Sequence, residues 1–289
     1  MTKFEFEAIG TGWQIDIPKE LPLAEATLLL NKIKERIKLF DIAYSRFRED
    51  SLVTEMSKQA GKFTLPPDAE PMISAYKKIY DITLGLVTPL IGQVISDAGY
   101  DAKYSLIEED LKKPLAWEEA MEWQNPSLLI KIPSLLDFGA GGKGYLVDIV
   151  SELLESNGIF SYCVDAGGDI RYRSEKKEVI KVGLENPDDI TEVIGVAKVL
   201  NQSICGSAGN RRKWGKYHHI INPESLTSPN DVLACWVTSS TTLLADLLTT
   251  GLFFVSPEIL LKHFEFEYLI VNSDHSAQKS TGFNAEIFT

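Results

Sequence analysis

The residues best suited to chemistry lie in the glycine-rich segment Asp137–Tyr145, which reads Asp-Phe-Gly-Ala-Gly-Gly-Lys-Gly-Tyr. An apolar run, Ser127–Ile132, precedes it, and a helical pattern of apolar residues that ends at Gly158 follows it. Glycines let a backbone approach a ligand closely, and the start of a helix offers free N–H groups and a positive dipole end. Both features favour a phosphate group, although a tight turn that packs the helix on the strand explains the same residues.

This segment matches neither of two common nucleotide-binding motifs. The spacing before Lys143 is not that of a Walker loop, and no Ser or Thr follows the lysine. The glycines also do not fit the GxGxxG pattern, and its acidic ribose partner is not seen. The sequence therefore argues against a nicotinamide-dependent dehydrogenase.

Asp246 is a second candidate, because it is the one carboxylate in an apolar helix predicted over Thr241–Val255. An ionised carboxylate in such a helix is costly unless it is paired or bound to a metal ion. Thr250 lies four residues later on the same helical face, and two oxygen ligands on one face suit a hard cation such as Mg²⁺. The alternative is a carboxylate at the wet edge of the helix, with the threonine hydroxyl bonded to its own turn.

Two adjacent histidines are the remaining candidates for proton transfer. On a strand, His218 and His219 point to opposite faces and cannot both line one site. One of them can serve as a general base, and a structural, hydrogen-bonded histidine is an equal alternative. The spacing of histidines and cysteines does not support a zinc site.

The pattern of elements predicts the fold class. Helices concentrate before the glycine-rich segment and strands after Gly158, which indicates an α+β fold rather than a doubly wound sheet. Short acidic helices are predicted over Ser105–Leu111 and Trp117–Trp123, a Gly/Ser-rich loop over Asn201–Asn210 and a strand over Tyr217–Ile221. No repeat, linker or domain boundary is visible, so residues 1–289 are predicted to form a single domain.

Composition limits the partners and the compartment. A net charge of −12, without a basic stripe, argues against nucleic acid as a partner. No apolar run approaches the roughly 20 residues of a membrane span. Cys163, Cys205 and Cys235 lack CxxC spacing, so we expect free thiols in a reducing compartment and a cytoplasmic protein.

Taken in chain order, several short segments resemble the ApbE family, which is the family of FAD:protein FMN transferases. The similarity runs over nearly the whole chain, and the Ala-Asp-x-x-x-Thr helix, the glycine-rich loop and the His-Ile-Ile segment are specific in combination. The matching segments are Gly10-Thr11, Ser45-Arg46-Phe47, Thr83-Leu84-Gly85 with Pro89, Ala98-Gly99-Tyr100, Asp137–Gly144, Gly167-Gly168-Asp169, Ser207-Ala208-Gly209, His219–Pro223 and Ala245–Thr250.

The resemblance implies mixed sheets flanked by helices, with FAD and Mg²⁺ bound between the glycine-rich loop and the Asp246 helix. It implies transfer of the FMN half of FAD to a threonine hydroxyl of an acceptor flavoprotein, with release of AMP. The implied metal ligands are Asp246, Thr250 and the backbone carbonyl of Gly142, and the implied catalytic base is His219. The implied cofactor contacts are Phe47, Ala98, Gly99, Tyr100, Gly139, Lys143, Tyr145 and Ile220.

The segment after His219 departs from the family pattern. Asn222 stands where the family usually has Asp, and the usual Thr-Gly is replaced within Ser225–Pro229. Two other functions therefore stay open. One is Mg²⁺-dependent hydrolysis of FAD to FMN and AMP, with water as the acceptor, and the other is a non-catalytic role in binding or carrying FAD.

Overall fold

A computed structural model describes residues 1–288 of the chain. Helices and short strands alternate in its first half, and a 3-10 turn over Pro89–Ile91 precedes the fourth helix. The elements are β1 (Thr2–Ala8), β2 (Thr11–Ile17), α1 (Leu23–Tyr44), α2 (Leu52–Met56), β3 (Gly61–Thr64), α3 (Glu70–Ile82), α4 (Gly92–Asp97), α5 (Trp117–Ala120), β4 (Met121–Gln124) and β5 (Ser127–Ile130).

Strands dominate the second half, after one long helix. The elements are α6 (Gly142–Ser156), β6 (Tyr162–Ala166), β7 (Asp169–Arg173), β8 (Ile180–Glu185), β9 (Val193–Val199), β10 (Ser203–Ala208), β11 (Lys213–Trp214), β12 (Tyr217–His218), β13 (Val232–Ser239), α7 (Thr242–Gly251), α8 (Pro257–Leu261), β14 (Glu267–Asn272), β15 (Ala277–Lys279) and β16 (Ala285–Ile287). This mixture of helices and antiparallel sheets confirms the predicted α+β class.

Two antiparallel sheets form the frame of the protein. Within residues 1–288, eight strands pair in the order β1-β2-β6-β7-β10-β13-β14-β15, and β16, β9 and β8 pair as a separate sheet in that order. One face of the large sheet packs against α1, α6 and α7 through side chains such as Trp13 and Val164. On the other face, residues such as Tyr172 of β7 pack against Leu184 and Val199 of the smaller sheet.

The helices α6 and α7 cross at Gly144. A Cβ atom at this residue would lie 2.7 Å from the Cβ of Asp246 and closer still to the carbonyl oxygen of Thr242. One turn later, Asp148 accepts the N–H groups of Thr242 and Leu243, each at 2.8 Å, and so caps the start of α7. Helix α6 therefore fixes α7 in two ways: Gly144 leaves the space in which α7 packs, and Asp148 caps the first N–H groups of α7.

Several predicted elements differ from the observed ones. Residues 105–111 form no helix, and the N–H groups of Leu106 and Glu109 instead donate to the carbonyls of Gly99 and Asp97, at 2.8 and 2.7 Å. The predicted helix over residues 117–123 is divided between α5 and β4. The predicted strand over residues 217–221 is limited to Tyr217 and His218.

The segment predicted as a Gly/Ser-rich loop over residues 201–210 contains β10, which lies between β7 and β13 in the large sheet. Its small residues are needed there, because a Cβ atom at Gly206 would lie 2.8 Å from the ring of Trp236. A composition typical of loops thus reflects close packing against a neighbouring strand.

The crossing of α6 and α7 predicts the effect of adding one methyl group. We expect Gly144→Ala to lower the free energy of unfolding by about 1–3 kcal/mol, because the new Cβ has no space beside Asp246. Urea unfolding followed by tryptophan fluorescence measures this change. The matched control is Gly12→Ala, where the described residues leave the Cβ position open, with an expected change within about 0.5 kcal/mol. Equal stability of the two variants would contradict the close crossing.

Candidate active site

One large cavity collects most of the residues that the sequence singles out. Its volume is about 1670 Å³, above the roughly 300–1,000 Å³ that is usual for a small-ligand pocket. Nine of the predicted site residues line this cavity, namely Phe47, Tyr100, Gly139, Gly142, Lys143, His219, Ile220, Asp246 and Thr250. The glycine-rich loop and the Asp246 helix therefore meet in one place, as predicted.

Asp246 is held in position from the start of α6. The N–H of Gly144 donates to its Oδ2 at 2.9 Å, so that one carboxylate oxygen is fixed by the protein while the side chain borders the cavity. Burial raises the pKa of Asp246 well above its usual range, and the nearby carboxylate of Asp169 raises it further. The carboxylate thus lacks sufficient positive charge from the protein alone, which is the condition in which a cation binds favourably.

Lys143 lies between two aspartates. Its ammonium group is paired with the carboxylate of Asp169 and donates to the Ala166 carbonyl at 3.1 Å. Burial lowers the pKa of Lys143, but the charges of Asp169 and Asp246 outweigh that effect, so its pKa is higher than usual and it stays protonated. Because β7 begins at Asp169, the turn before this strand fixes the lysine at the cavity wall.

A second buried ion pair supports the loop itself. Arg46 is paired with Asp137, and its side chain is only 3% exposed. The same carboxylate accepts the N–H of Gly139 at 2.6 Å, which closes the turn at the start of the loop. Arg46 also donates to the Tyr100 carbonyl at 2.8 Å and lies 4.1 Å from the centre of the Phe47 ring.

An aromatic cluster forms the wall next to this ion pair. Phe47 stacks on Tyr104 with ring centres 5.6 Å apart, and Tyr100 stacks on Trp214 at 5.2 Å. Phe47, Tyr100 and Tyr104 border the cavity, so their rings present an apolar wall to it. A flat aromatic ligand is the type of molecule that such a wall accommodates.

The two histidines have different environments. His218 is fixed within the protein, since its Nε2 bonds the Pro229 carbonyl at 2.8 Å and its N–H donates to Ser228 at 2.9 Å. His219 borders the cavity, and among the described residues no partner contacts its buried Nδ1. Burial, aided by the charge of Arg212, lowers the pKa of His219 to about 3, so the ring is neutral at physiological pH.

Two threonines of α7, Thr249 and Thr250, lie close to Asp246 in the chain and point in different directions. Thr250 borders the cavity one turn after Asp246, as the spacing predicts. Thr249 is buried instead, and its hydroxyl donates to the Asp246 carbonyl at 2.7 Å and contacts the Ser207 hydroxyl at 2.8 Å. The hydroxyl of Thr250 is therefore the one that α7 offers to a ligand in the cavity.

Three of the predicted cofactor residues, Ala98, Gly99 and Tyr145, are absent from the cavity lining within residues 1–288. The Ala98 carbonyl accepts the indole N–H of Trp214 at 2.6 Å, and Gly99 has φ +106° with no room for a Cβ. Tyr145 donates to the Asp68 carbonyl and packs against Phe40. Each has a structural role, so direct contact of these three with a cofactor stays a prediction.

Two residues that shape this site, Asp169 and Arg46, are not predicted as site residues from the sequence. Asp169 follows two glycines, and a tight turn explains the whole segment locally, so nothing marked its carboxylate as buried against Lys143. Arg46 lies within an aromatic segment that a core position explains equally well. No local signal identifies either residue, because the partner of each, Lys143 for Asp169 and Asp137 for Arg46, lies on another element.

In residues 1–288, no group of three or more His, Cys, Asp or Glu side chains is arranged to hold a metal ion. Asp246 and Thr250 border the cavity and would offer a carboxylate and a hydroxyl oxygen to a cation there. Among the helices of the same residues, none is both long and apolar enough to cross a bilayer.

Comparison with known proteins gives a consistent result. The sequence model described as the ApbE family matches residues 9–269. An FAD:protein FMN transferase of Vibrio cholerae is 22% identical over 267 residues, covering 86% of this chain and 80% of that protein. The protein with the same description from Escherichia coli is 22% identical over 279 residues, covering 89% and 79%.

Solved structures match over almost the full length. The structure described as flavin transferase ApbE from Vibrio cholerae has a TM-score of 0.81 at 19% identity, covering 98% of this chain and 97% of that chain. An ApbE protein from Thermotoga maritima has a TM-score of 0.82 at 19% identity, covering 97% of both chains. At this level of identity, the likeness establishes the fold.

The low pKa of His219 predicts a pH dependence of stability. Its folded pKa of about 3 lies below the unfolded value of about 6.5. The unfolded chain therefore binds a proton that the folded chain does not, and stability falls as pH falls through this window. Between pH 7 and pH 5, we expect the wild type to lose about 2 kcal/mol more stability than His219→Gln. Urea unfolding at both pH values measures this difference, and parallel losses would contradict the buried neutral ring.

Proposed function

The chain belongs to the ApbE family, and we propose that it is an FAD:protein FMN transferase. In this reaction the FMN half of FAD moves to a threonine hydroxyl of an acceptor protein, and AMP is released. The observation that carries the proposal is the convergence of Lys143, His219 and Asp246 on one cavity. Relatives that span most of this chain have the same description, which supports the assignment.

We propose that Mg²⁺ binds to Asp246, Thr250 and the backbone carbonyl of Gly142. The buried carboxylate of Asp246 fits this role, because the protein fixes one of its oxygens and leaves its negative charge insufficiently compensated. A site with few protein oxygens suits Mg²⁺, which completes its coordination with water and substrate phosphates. When bound, the ion neutralises charge on the pyrophosphate and on the leaving phosphate.

We propose that FAD binds along the cavity with its pyrophosphate near the start of α6. Lys143 holds a fixed positive charge there, and the loop at Gly139 lets the backbone approach the phosphates closely. The aromatic wall of Phe47 and Tyr100 is suited to one of the flat ring systems of the dinucleotide. Ile220 adds an apolar contact beside His219.

The chemical step needs one proton acceptor. The threonine Oγ attacks the phosphorus of the FMN half, a new O–P bond forms, and the bond from that phosphorus to the bridging oxygen breaks. The bridging oxygen leaves with AMP, and the threonine proton goes to the imidazole of His219. The ring borders the cavity and is neutral at physiological pH, so it is free to accept a proton from a hydroxyl bound there.

The site residues come from elements spread over the chain, from the end of α1 to α7, which supports treating residues 1–289 as one catalytic unit. The cytoplasm is the proposed location. Cys205 and Cys235 are buried thiols, with their sulfur atoms 3.7 and 3.2 Å from backbone carbonyls of α7. Reduced thiols of this kind fit a reducing compartment.

Incubation of the protein with FAD and Mg²⁺, with and without EDTA, tests the proposal. We expect AMP to appear by chromatography only when free Mg²⁺ is present, and flavin fluorescence to stay with an acceptor protein after denaturing electrophoresis. Free FMN in place of labelled protein, even with acceptor present, would favour hydrolysis. FAD binding without any AMP over long incubation would indicate a non-catalytic carrier and contradict the proposal.

Asp246 and Thr250 give a graded test of the metal site. We expect Asp246→Asn to lower Mg²⁺-dependent AMP release at least 100-fold, because the amide loses the charge that binds the cation but still accepts the Gly144 N–H. Thr250→Val should lower it about tenfold, since a neutral ligand contributes less. Initial rates of AMP formation at several Mg²⁺ concentrations measure both effects.

The matched control for this test is Asp148→Asn. Asp148 lies on α6 and contacts α7, like the site residues, but within residues 1–288 it is not part of the cavity lining. We expect this variant to lose about 1 kcal/mol of stability through a weaker cap, with turnover within about threefold of wild type. Normal turnover of Asp246→Asn would show that the metal assignment is wrong.

A further inference from the structure

The cavity extends well beyond the candidate catalytic residues. It continues from His219 along β8 and reaches residues near the far end of β6, such as Phe160 and Lys176. Its volume of about 1670 Å³ exceeds what one small ligand fills. We propose that this extension binds an extended, threonine-bearing segment of the acceptor protein, which pairs as an added strand with the free edge of β8. This proposal rests on the proposed function.

The hydrogen-bond pattern shows which backbone groups of β8 are free. In β9, the backbone N–H of Lys198 donates to the Asn284 carbonyl, and the Ile194 carbonyl accepts the backbone N–H of Phe288. The backbone groups of the even-numbered residues of β9 therefore bond towards β16. In an antiparallel sheet, successive residues bond alternately to the two neighbouring strands. The odd-numbered residues of β9 therefore bond towards β8.

The register then identifies the outward-facing residues of β8. Ala197 opposes Val182 and Val199 opposes Ile180, so these two residues of β8 use their backbone groups on β9. The N–H and C=O groups of Lys181 and Gly183 consequently point away from β9. Within residues 1–288, β8 is the last strand on this side of its sheet, so these groups face the cavity without a strand partner.

The surroundings of this edge suit a peptide backbone. Lys181 and Gly183 are exposed, and a glycine in a strand lets another backbone approach closely. An added strand would extend the smaller sheet over the face of β2 and β6 that carries Asp16 and Cys163, which lie opposite each other in the large sheet. Asp16 and Cys163 both border the cavity on this face, so an added strand would lie over them.

One end of β8 leads directly to the candidate catalytic base. Glu185 is paired with Arg211, and the side chain of Asn210 donates to the Pro187 carbonyl at 2.5 Å. The backbone carbonyl of Arg212, the residue after Arg211, accepts the N–H of His219 at 3.1 Å. A segment on β8, which is six residues long, would therefore present the residue beyond Glu185 to the catalytic end of the cavity.

The charges of the cavity favour a segment of mixed charge. Within the described residues its lining contains nine lysines and arginines and eight aspartates and glutamates, although the chain as a whole has a net charge of −12. A strongly charged partner would gain little from such a surface, while a backbone with varied side chains pairs well with a strand edge. Main-chain pairing is thus the recognition that this edge offers.

The test uses a yeast-displayed library of 15-residue segments, each with one central threonine and random flanking residues. Cells are incubated with the protein, FAD and Mg²⁺, washed in denaturant and sorted for retained flavin fluorescence. Selected segments are then synthesised as substrates for variants. We expect the library to yield labelled segments, because the proposal requires only an extended strand and a threonine. A library without labelled segments, while wild type still releases AMP from FAD, would overturn the docking proposal.

Lys181→Pro tests the edge itself. Proline removes an N–H that β9 does not use and blocks pairing on the outer side, as edge prolines do in natural sheets. We expect at least a tenfold loss in kcat/KM for the selected segment, carried mainly by KM, with FAD affinity within twofold of wild type. Lys181→Ala, which keeps the N–H, should stay within threefold, and a tenfold loss there would contradict backbone pairing.

The matched control is Ala277→Pro on β15, another edge strand. The backbone carbonyl of Tyr268 in β14 accepts the N–H of Ser280, and the backbone N–H of Asn272 donates to the carbonyl of Ser276. The backbone N–H and C=O of Ala277 therefore point away from β14, as those of Lys181 point away from β9. It lies outside the cavity lining within residues 1–288. We expect its kinetics and melting temperature to match wild type within twofold and 2 °C, and Lys181→Pro to have a similar melting temperature. Equal kcat/KM values of Lys181→Pro and Ala277→Pro for the selected segment would overturn the docking proposal.

Two further outcomes separate the alternatives. A concentration-dependent dimer in analytical ultracentrifugation that Lys181→Pro abolishes would show that β8 pairs with a second copy of the chain, which would overturn the proposal. Wild type that neither releases AMP nor labels any segment would overturn the proposed function itself, and the docking proposal with it.

Discussion

Gly144 brings two helices together that are separated by about a hundred residues in the chain, and its N–H donates to Asp246 across that contact. Asp148, on the same face of α6 one turn later, holds the first N–H groups of α7. The gap and the cap together leave α7 little freedom to rotate or slide. The carboxylate of Asp246 therefore has a defined direction before any ligand binds, which is the preorganisation that electrostatic catalysis requires.

The same turn of α6 distributes charge around the cavity. Because successive helical residues point about 100° apart, Gly144 faces α7 while Lys143 faces the turn that begins β7 and pairs with Asp169. Arg46 and Asp137 repeat this arrangement on the other side of the loop. In an acidic chain, Arg46 and Lys143 keep positive charge beside the loop, where a pyrophosphate would otherwise meet a surface of like charge.

Local patterns predicted much of this arrangement, because the fold here follows regular periodicity. The strand, loop and helix around Lys143 and the four-residue spacing of Asp246 and Thr250 could be predicted from sequence. The burial of Asp169 could not, because its segment already has a sufficient local explanation as a turn and its partner lies on another element. Alternation alone also did not decide between the histidines, since Ser228 and Pro229 fix His218 and so direct His219 to the cavity.

The two packed sheets differ in width, and this difference explains where the cavity lies. The large sheet continues from β7 to β6, β2 and β1, whereas the smaller sheet that covers its second face stops at β8. Ile170 and Tyr172 of β7 and Ile204 of β10 are buried between the sheets, while Asp16 of β2 borders the cavity. An open groove must follow wherever one layer of a sandwich is narrower than the other. This groove ends at the helix crossing near Gly144, so the shape of the sheets and the chemistry of the loop meet at one site.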